Sequence, residues 1–338
     1  MAKKGMNMDF QKAVELINKS KNILITTHTK PDGDACGCVA AMSETLAAAG
    51  KNVKPLLLTD LPDWYAFLFA QRPAILGRDV TIEQLKQGQF FNPDLILIVD
   101  TNSHNQLDTF DEYLKQNNKP ILVIDHHITS DGLGDIELID TSAAANGLIV
   151  LDFLRYAGWK ITPAIARSLF VAISTDTGWF HFCNVDSRTH KSAADLIDYG
   201  AVPNQIYHQL YQSFSPQRFK LMVIMLGTLE LHFDGRFATQ YLRQADFERT
   251  GASYMDTESL IDECQRINSV EVAALFVELK DGQIKCSLRS RGSVDVRQIA
   301  QKYGGGGHTM AAGLHLPGPL ENAMQTIKSQ VGKKLSTS

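Results

Sequence analysis

Acids and imidazoles recur in this chain at spacings that suit a cation. His28, Asp32 and Asp34 stand together in HTKPDGDA, Asp100 follows the apolar run LILIV, Asp125, His126 and His127 follow ILVI, and Asp176 lies in STDTG. Two acids at i and i+2 reach the same side of an extended loop, and His28 is near enough to add an imidazole. Each segment also has an ordinary explanation. Pro31, Asp32 and Gly33 are turn formers, Asp100 could end a strand, a His pair could make a polar contact, and Asp176 could cap a helix. It is their joint occurrence that points to one shared site. His28, Asp32, Asp34, Asp100, His126 and Asp176 offer four carboxylates and two neutral imidazoles, so their negative charge balances two divalent cations. An oxygen and imidazole set without thiolate suits Mn²⁺ best, with Mg²⁺ or Co²⁺ as alternatives.

Such a site needs a scaffold that brings distant segments to one edge. Ile23 to Thr27 reads as a strand, Cys36 to Ala49 as a helix ending at Gly50, and Leu56 to Leu58 as a second strand, which is a βαβ unit. Leu95 to Val99 and Ile121 to Ile124 are continuously apolar, as central parallel strands covered on both faces should be. The fold class expected is α/β: an N-terminal doubly wound, mainly parallel sheet followed by a smaller mixed α/β domain. In open parallel sheets, ligands gather beyond the carboxyl ends of the strands, where the three acid-bearing segments begin.

Helical patterning runs from Ile161 through Ile173 and again from Ser187 to about Gly227, punctuated by Pro203 and Pro216. The expected division is a metal-binding domain over 1–196, a helical linker over 197–220 and a second domain over 221–332. The second domain should hold strands at Phe237 to Tyr241, Ala273 to Leu279 and Ile284 to Arg289, and a helix near Val296 to Tyr303.

Composition narrows the setting. The 338 residues are 44% hydrophobic and 21% charged, an ordinary globular balance, and no apolar run approaches the length of a membrane span. A cytoplasmic location is expected. Five cysteines without a CxxC pair argue against a disulfide frame or a zinc-thiolate site. A net charge of -4 gives no global basic field for long duplex nucleic acid, so an anionic substrate must be met locally.

The segments ITTHTKPDGDA, LIVDTN, VIDHHIT and STDTGWF resemble the four motifs of the DHH phosphoesterase family. That resemblance implies that His28 and Asp32 hold one metal, that Asp34, His126 and Asp176 hold the other, and that Asp100 bridges both. It places His127 against the scissile phosphate, with Asp125 orienting a histidine ring. One segment departs from the pattern. DTSAAANGL, Asp140 to Leu148, has Ala144 and Asn146 where relatives carry hydroxyls and Leu148 where they carry an acid, so no substrate contact is carried over there.

Near the C-terminus, SLRSRGSVDV precedes QKYGGGGHTMAAG. A glycine run lets backbone N–H groups approach an anion, and arginines bind phosphate in bidentate fashion. The spacing resembles the DHHA1 substrate-binding domain, which implies substrate contacts at Arg289, Arg291, Gly305, Gly306, Gly307 and His308. The pairing of domains resembles compact oligoribonuclease/pAp phosphatases, whose substrates are short RNA or small nucleotides. The alternatives are a linear dinucleotide (pApA or pGpG) phosphodiesterase, an exopolyphosphatase, or an inactive nucleotide-binding regulator. No membrane partner is expected, and a homodimer is one assembly left open.

Overall fold

The computed structural model describes residues 9–307 and 309–336. These fall into two compact units, one running up to Ser213 and one from Phe214 onward.

In the first unit the chain runs through α1 (Phe10–Lys19), β1 (Asn22–Thr26), α2 (Gly33–Ala48), β2 (Asn52–Leu57), β3 (Ala74–Ile75) and α3 (Ile82–Lys86). It continues through β4 (Leu95–Val99), α4 (Phe110–Gln116), β5 (Ile121–Asp125) and β6 (Ile136–Ile139). Four helices complete it: α5 (Asn146–Tyr156), α6 (Pro163–Asp176), α7 (Ser187–Asp198) and α8 (Pro203–Tyr211). The six strands pair in the order β3-β2-β1-β4-β5-β6, and every neighbouring pair is parallel. All five residues of β4 are buried, because alternate side chains enter separate core layers. Leu95, Leu97 and Val99 join the α2 and α6 side, while Ile96 and Ile98 join the α4 side. This accounts for the unbroken apolar runs. Strand order reverses between β1 and β4, so the loops leaving these two strands diverge and open a crevice at their carboxyl ends.

The helix expected from Cys36 begins three residues earlier, at Gly33. Asp32 is its N-cap, with Oδ1 accepting from the N–H groups of Asp34 (3.0 Å) and Ala35 (3.1 Å). Helices α2, α5 and α6 meet through small residues. A Cβ on Gly37 would lie 2.4 Å from the Ser168 carbonyl oxygen, and one on Gly147 would lie 2.7 Å from the Ala172 Cβ. The backbones therefore approach more closely than side chains would allow. The helical stretch expected over 187–227 is divided into three helices, the second and third opening on Pro203 and Pro216 at their first turns.

The second unit runs through α9 (Pro216–Gly227), β7 (Glu230–His232), β8 (Phe237–Leu242), α10 (Gln244–Thr250), β9 (Val272–Glu278) and β10 (Gln283–Ser290). It ends with α11 (Val296–Gln301), β11 (Gly306–Gly307), β12 (Ala311–Pro317) and α12 (Leu320–Leu335). Its sheet has the order β11-β12-β10-β9-β8-β7, parallel between β8 and β9 and antiparallel elsewhere. Val272, Ala274 and Phe276 pack on the side of α11 and α12, and Ala273, Leu275 and Val277 on the side of α9. Among the described residues no helix is long and apolar enough to cross a membrane.

The Gly37 contact generates a test. Gly37→Val sets a side chain against a backbone carbonyl, and overpacking of this kind costs about 1–3 kcal/mol. A lower urea midpoint with unchanged m is expected, and an unaltered midpoint would show that the helices can separate freely.

Candidate metal centre

The acids and imidazoles singled out in the first unit come together beyond the carboxyl ends of β1, β4 and β5. Asp32 caps α2 and Asp34 lies in its first turn; Asp100 follows β4; Asp125 ends β5, with His126 and His127 next; and Asp176 is the last residue of α6. Three groups have ligand atoms all within 4.8 Å of one another: His28 with Asp32 and Asp100, Asp34 with His126 and Asp176, and Asp100 with His126 and His127. His126 Nε2 lies 3.5 Å from Asp100 Oδ1, 3.6 Å from Asp176 Oδ2 and 3.9 Å from Asp34 Oδ2. His28 Nε2 is 3.6 Å from Asp100 Oδ2.

Hydrogen bonds on the far side of each ring fix its orientation. His28 Nδ1 donates to the Thr29 carbonyl at 2.8 Å, and His126 Nδ1 to the Ala143 carbonyl at 3.1 Å. A carbonyl only accepts, so Nδ1 carries the proton and the Nε2 lone pair faces the acids, the state a cation requires. His127 differs. Its Nδ1 lies 2.7 Å from Asp125 Oδ1, which also accepts from the backbone N–H groups of His126 and His127.

Crowded acids and burial shift the ionisation. Burial first, and then the charges of Asp176 and Asp32, push the Asp34 carboxyl well above the carboxylate range. Burial followed by Asp34, Asp32, Asp176 and Asp125 does the same to Asp100. Asp176 is raised to about 7 by burial and then by Asp32. Its place at the C-terminal end of α6, where helix carbonyls point at it, adds to the repulsion. Burial holds His126 below its usual value, with His127 second. Burial also opposes charge on His127, but the hydrogen bond and charge of Asp125 outweigh it and hold that ring above its usual value.

Backbone geometry carries part of the arrangement. Asp100 has φ +63°, a left-handed conformation that aspartate tolerates better than most residues, while its N–H still continues the ladder to the Ile124 carbonyl at 2.8 Å. Its Oδ1 is buried and has no hydrogen-bond partner among the described residues. Buried Asp34 accepts from the backbone N–H groups of Asn146 at 2.5 Å and Gly147 at 2.9 Å. These belong to the first turn of α5, so the DTSAAANGL segment that departs from the family pattern supplies N–H donors to Asp34 and a carbonyl to His126. Sequence reasoning passed over Ala143, Asn146 and Gly147 because backbone donors leave no side-chain signature. The run of alanines ending at Asn-Gly was the available signal for a close approach. Arg188 bonds Asp140 at 2.6 Å and Asp152 at 2.8 Å, fastening this segment, and His104 pairs with Asp111.

In the second unit Arg289 aligns with Ala311 and Gly307 with Ala312, so the two flank β12 at the same end of the sheet. Arg289 Nε donates to Asp262 at 3.0 Å and Nη1 to the Leu288 carbonyl at 3.2 Å. Both terminal nitrogens of Arg291 are taken by carbonyls, of Asn268 at 2.8 Å, of Ile267 at 3.2 Å and of Gln265. Gly305 and Gly307 lie against β12, where a Cβ would come within 2.3 Å of the Gly313 oxygen and 2.4 Å of the Ala311 oxygen respectively. Gly306 is exposed. His308 lies outside the described residues.

The model of the DHH family, N-terminal domain, matches residues 22–173, and that of the DHHA1 domain matches residues 234–336. A bifunctional oligoribonuclease and PAP phosphatase NrnA of Thermus thermophilus is 30% identical over 315 residues, 93% of this chain and 90% of its own length. A probable enzyme of the same name from Streptococcus mutans is 28% identical over 313 residues, 93% of this chain and 95% of its own. Among solved structures, an exopolyphosphatase-related protein from Bacteroides fragilis shares the fold with a TM-score of 0.91 at 21% identity, covering 98% of both chains.

The raised acids make stability depend on pH. In the metal-free protein, carboxyls with raised values stay protonated when folded and lose their protons when unfolded. The unfolded state then binds fewer protons, and stability falls as pH rises from about 4 toward 7. Urea unfolding in chelator is expected to show this decline, and Asp176→Asn should flatten it between pH 5 and 7. An equal slope in the variant would remove Asp176 as its source.

Proposed function

The chain belongs to the DHH family of phosphoesterases, with a DHHA1 domain behind the DHH domain, and from that premise we propose that it hydrolyses short oligoribonucleotides and 3'-phosphoadenosine 5'-phosphate using two divalent cations. One observation carries this reading. The groups His28–Asp32–Asp100 and Asp34–His126–Asp176 lie side by side and are joined by the 3.5 Å approach of Asp100 to His126. His28 and Asp32 would hold one cation and Asp34, His126 and Asp176 the other, with Asp100 placed to serve both. The donor chemistry fits: four carboxylates, two imidazole Nε2 atoms turned inward, and a buried Asp100 oxygen with no hydrogen bond among the described residues. Manganese is the preferred ion for such oxygen and nitrogen donors without thiolate. The chemistry a bound pair supplies is Lewis-acid activation of water and neutralisation of charge on the phosphate.

The remaining steps belong to the protein. Asp125 holds His127 through Nδ1 and raises the ring above its usual value, and we assign its Nε2–H side to a phosphate oxygen. The same proton can pass to the departing alkoxide. Asp34 is kept in place by two backbone N–H groups and does not depend on a mobile side chain. In the second unit, Gly305, Gly306, Gly307 and the arginines are assigned to the substrate. Arg289 is the stronger phosphate ligand of the pair, since its Nη2 has no partner among the described residues while both Nη atoms of Arg291 are engaged. The relatives named as oligoribonuclease and PAP phosphatase NrnA support the substrate class.

The test is Mn²⁺-dependent release of nucleotide or phosphate from pAp, pApA and a five-residue RNA. Asp100→Ala should abolish release from all three. His127→Asn should lower kcat by about 10²–10⁴, the usual weight of a general acid, with little change in cation affinity by calorimetry. Equal activity in the Asp100 variant would overturn the two-cation site, and release from polyphosphate alone would overturn the nucleotide reading.

A further inference from the structure

A group of large aromatic side chains stands beside the acids of the first unit, and the reaction steps above leave it without a task. Trp179 and Phe180 follow Asp176 by three and four residues, so the Trp179 Cα lies within about 10 Å of the Asp176 Cα, the reach of three peptide units. Both have positive φ, +57° and +67°, a conformation that costs bulky residues of order 1–3 kcal/mol each and persists only where the surroundings impose it. The turn is held by the Trp179 N–H on the Ser174 carbonyl at 2.6 Å and by the Phe180 N–H on the Thr177 hydroxyl at 3.2 Å. It sets the indole steeply inclined to two tyrosines of α8. Its centroid is 5.0 Å from that of Tyr207 at 71° and 5.7 Å from that of Tyr211 at 86°.

The tyrosines are one helical turn apart, with centroids 5.0 Å from each other. Ile206 and Leu210 on the same helix are buried in the core, whereas Tyr207 and Tyr211 are 38% and 41% exposed. The segment Asp63–Leu68, carrying Trp64 and Tyr65, packs near α2, α6 and α8. Burial, followed by the charge of Asp32, raises the Tyr65 hydroxyl well above its usual value.

We propose that Trp179, Tyr207 and Tyr211 form a stacking ledge for the nucleobase next to the scissile phosphate, a base subsite on the same unit as the metal centre. This rests on the reading of the chain as a nucleotide phosphoesterase and goes beyond it, because it names where a base is held and by what. Aromatic faces suit this occupant: every base has a π-face, stacking tolerates any sequence, and a short substrate offers few other handles. Contacts with the indole and with each other brace the two half-exposed tyrosines in one orientation. The ledge predicts that the enzyme distinguishes a nucleotide from a bare phosphodiester without reading which base it holds.

The test uses the full chain and two readouts. In the first, Tyr207→Leu/Tyr211→Leu is compared with the parent on pApA and on the same dinucleotide with an abasic ribose at its 3' or its 5' position. The parent should favour pApA over at least one abasic form by roughly 10-fold in kcat/KM, within the weight of one stacked base. The variant should lose that preference through KM, while its rate on the abasic form stays unchanged. Tyr207→Phe/Tyr211→Phe, which keeps the rings, should retain it. In the second, quenching of 2-aminopurine riboside monophosphate is followed in chelator, where no turnover occurs, and binding should weaken about 10-fold in the leucine variant only. Equal loss on all substrates, or a change of oligomeric state in place of base dependence, would overturn the ledge. Quenching that persists in a parent protein that hydrolyses none of the substrates would leave the ledge standing and remove the hydrolase.

Discussion

Repulsion among carboxylates held close together, two of them buried, is the constraint on which the first unit is organised. Asp34 and Asp100 are almost wholly buried, and Asp176 sits at the wrong end of a helix dipole. Left to themselves, such groups would protonate or move apart. The fold resists separation by holding the acids on ordered backbone. The Asp32 carboxylate caps the first turn of α2, that of Asp34 accepts from the first turn of α5, and Asp100 and Asp176 stand at the ends of β4 and α6. Backbone groups have little freedom to yield, so the charge strain is retained as a demand for cations.

That demand explains the small residues between helices. For the α5 N–H groups to reach Asp34 on α2, the two helices and α6 must approach almost to backbone contact, and Gly37, Gly147 and Ala172 permit it. Packing and chemistry are therefore one requirement at these positions. Helix α2 itself shows almost no polar face over its first ten residues, because its sides are covered by the sheet and by its neighbours.

Much of this was legible in the sequence, and the reasons are local. The runs LILIV and ILVI announced central parallel strands because burial on both faces removes the alternation seen in other strands, and the acids at their ends marked the active edge. In the second unit β8, β9 and β10 were legible as strand-like segments, whereas β7, β11 and β12 were not expected. The terms supplied by backbone were not. Nothing in Asn146 or Gly147 as residue types says that their N–H groups face Asp34, and the left-handed turn at Trp179 and Phe180 runs against the preference of both residues. Likewise Arg291 looks in sequence like a free phosphate ligand, whereas in the folded unit it fastens three carbonyls of a neighbouring loop.

The left-handed backbone at Asp100 has an evolutionary consequence. Asparagine and glycine are the residues that best share this conformation with aspartate, and asparagine is also its steric twin. A lineage that exchanged catalysis for ligand sensing could cross at this single position without disturbing its fold. An acid-to-amide change there would keep this backbone conformation while removing one buried carboxylate from the cluster of acids and imidazoles. Position 100 is thus one place where the charge of the cluster could change without a change of backbone shape.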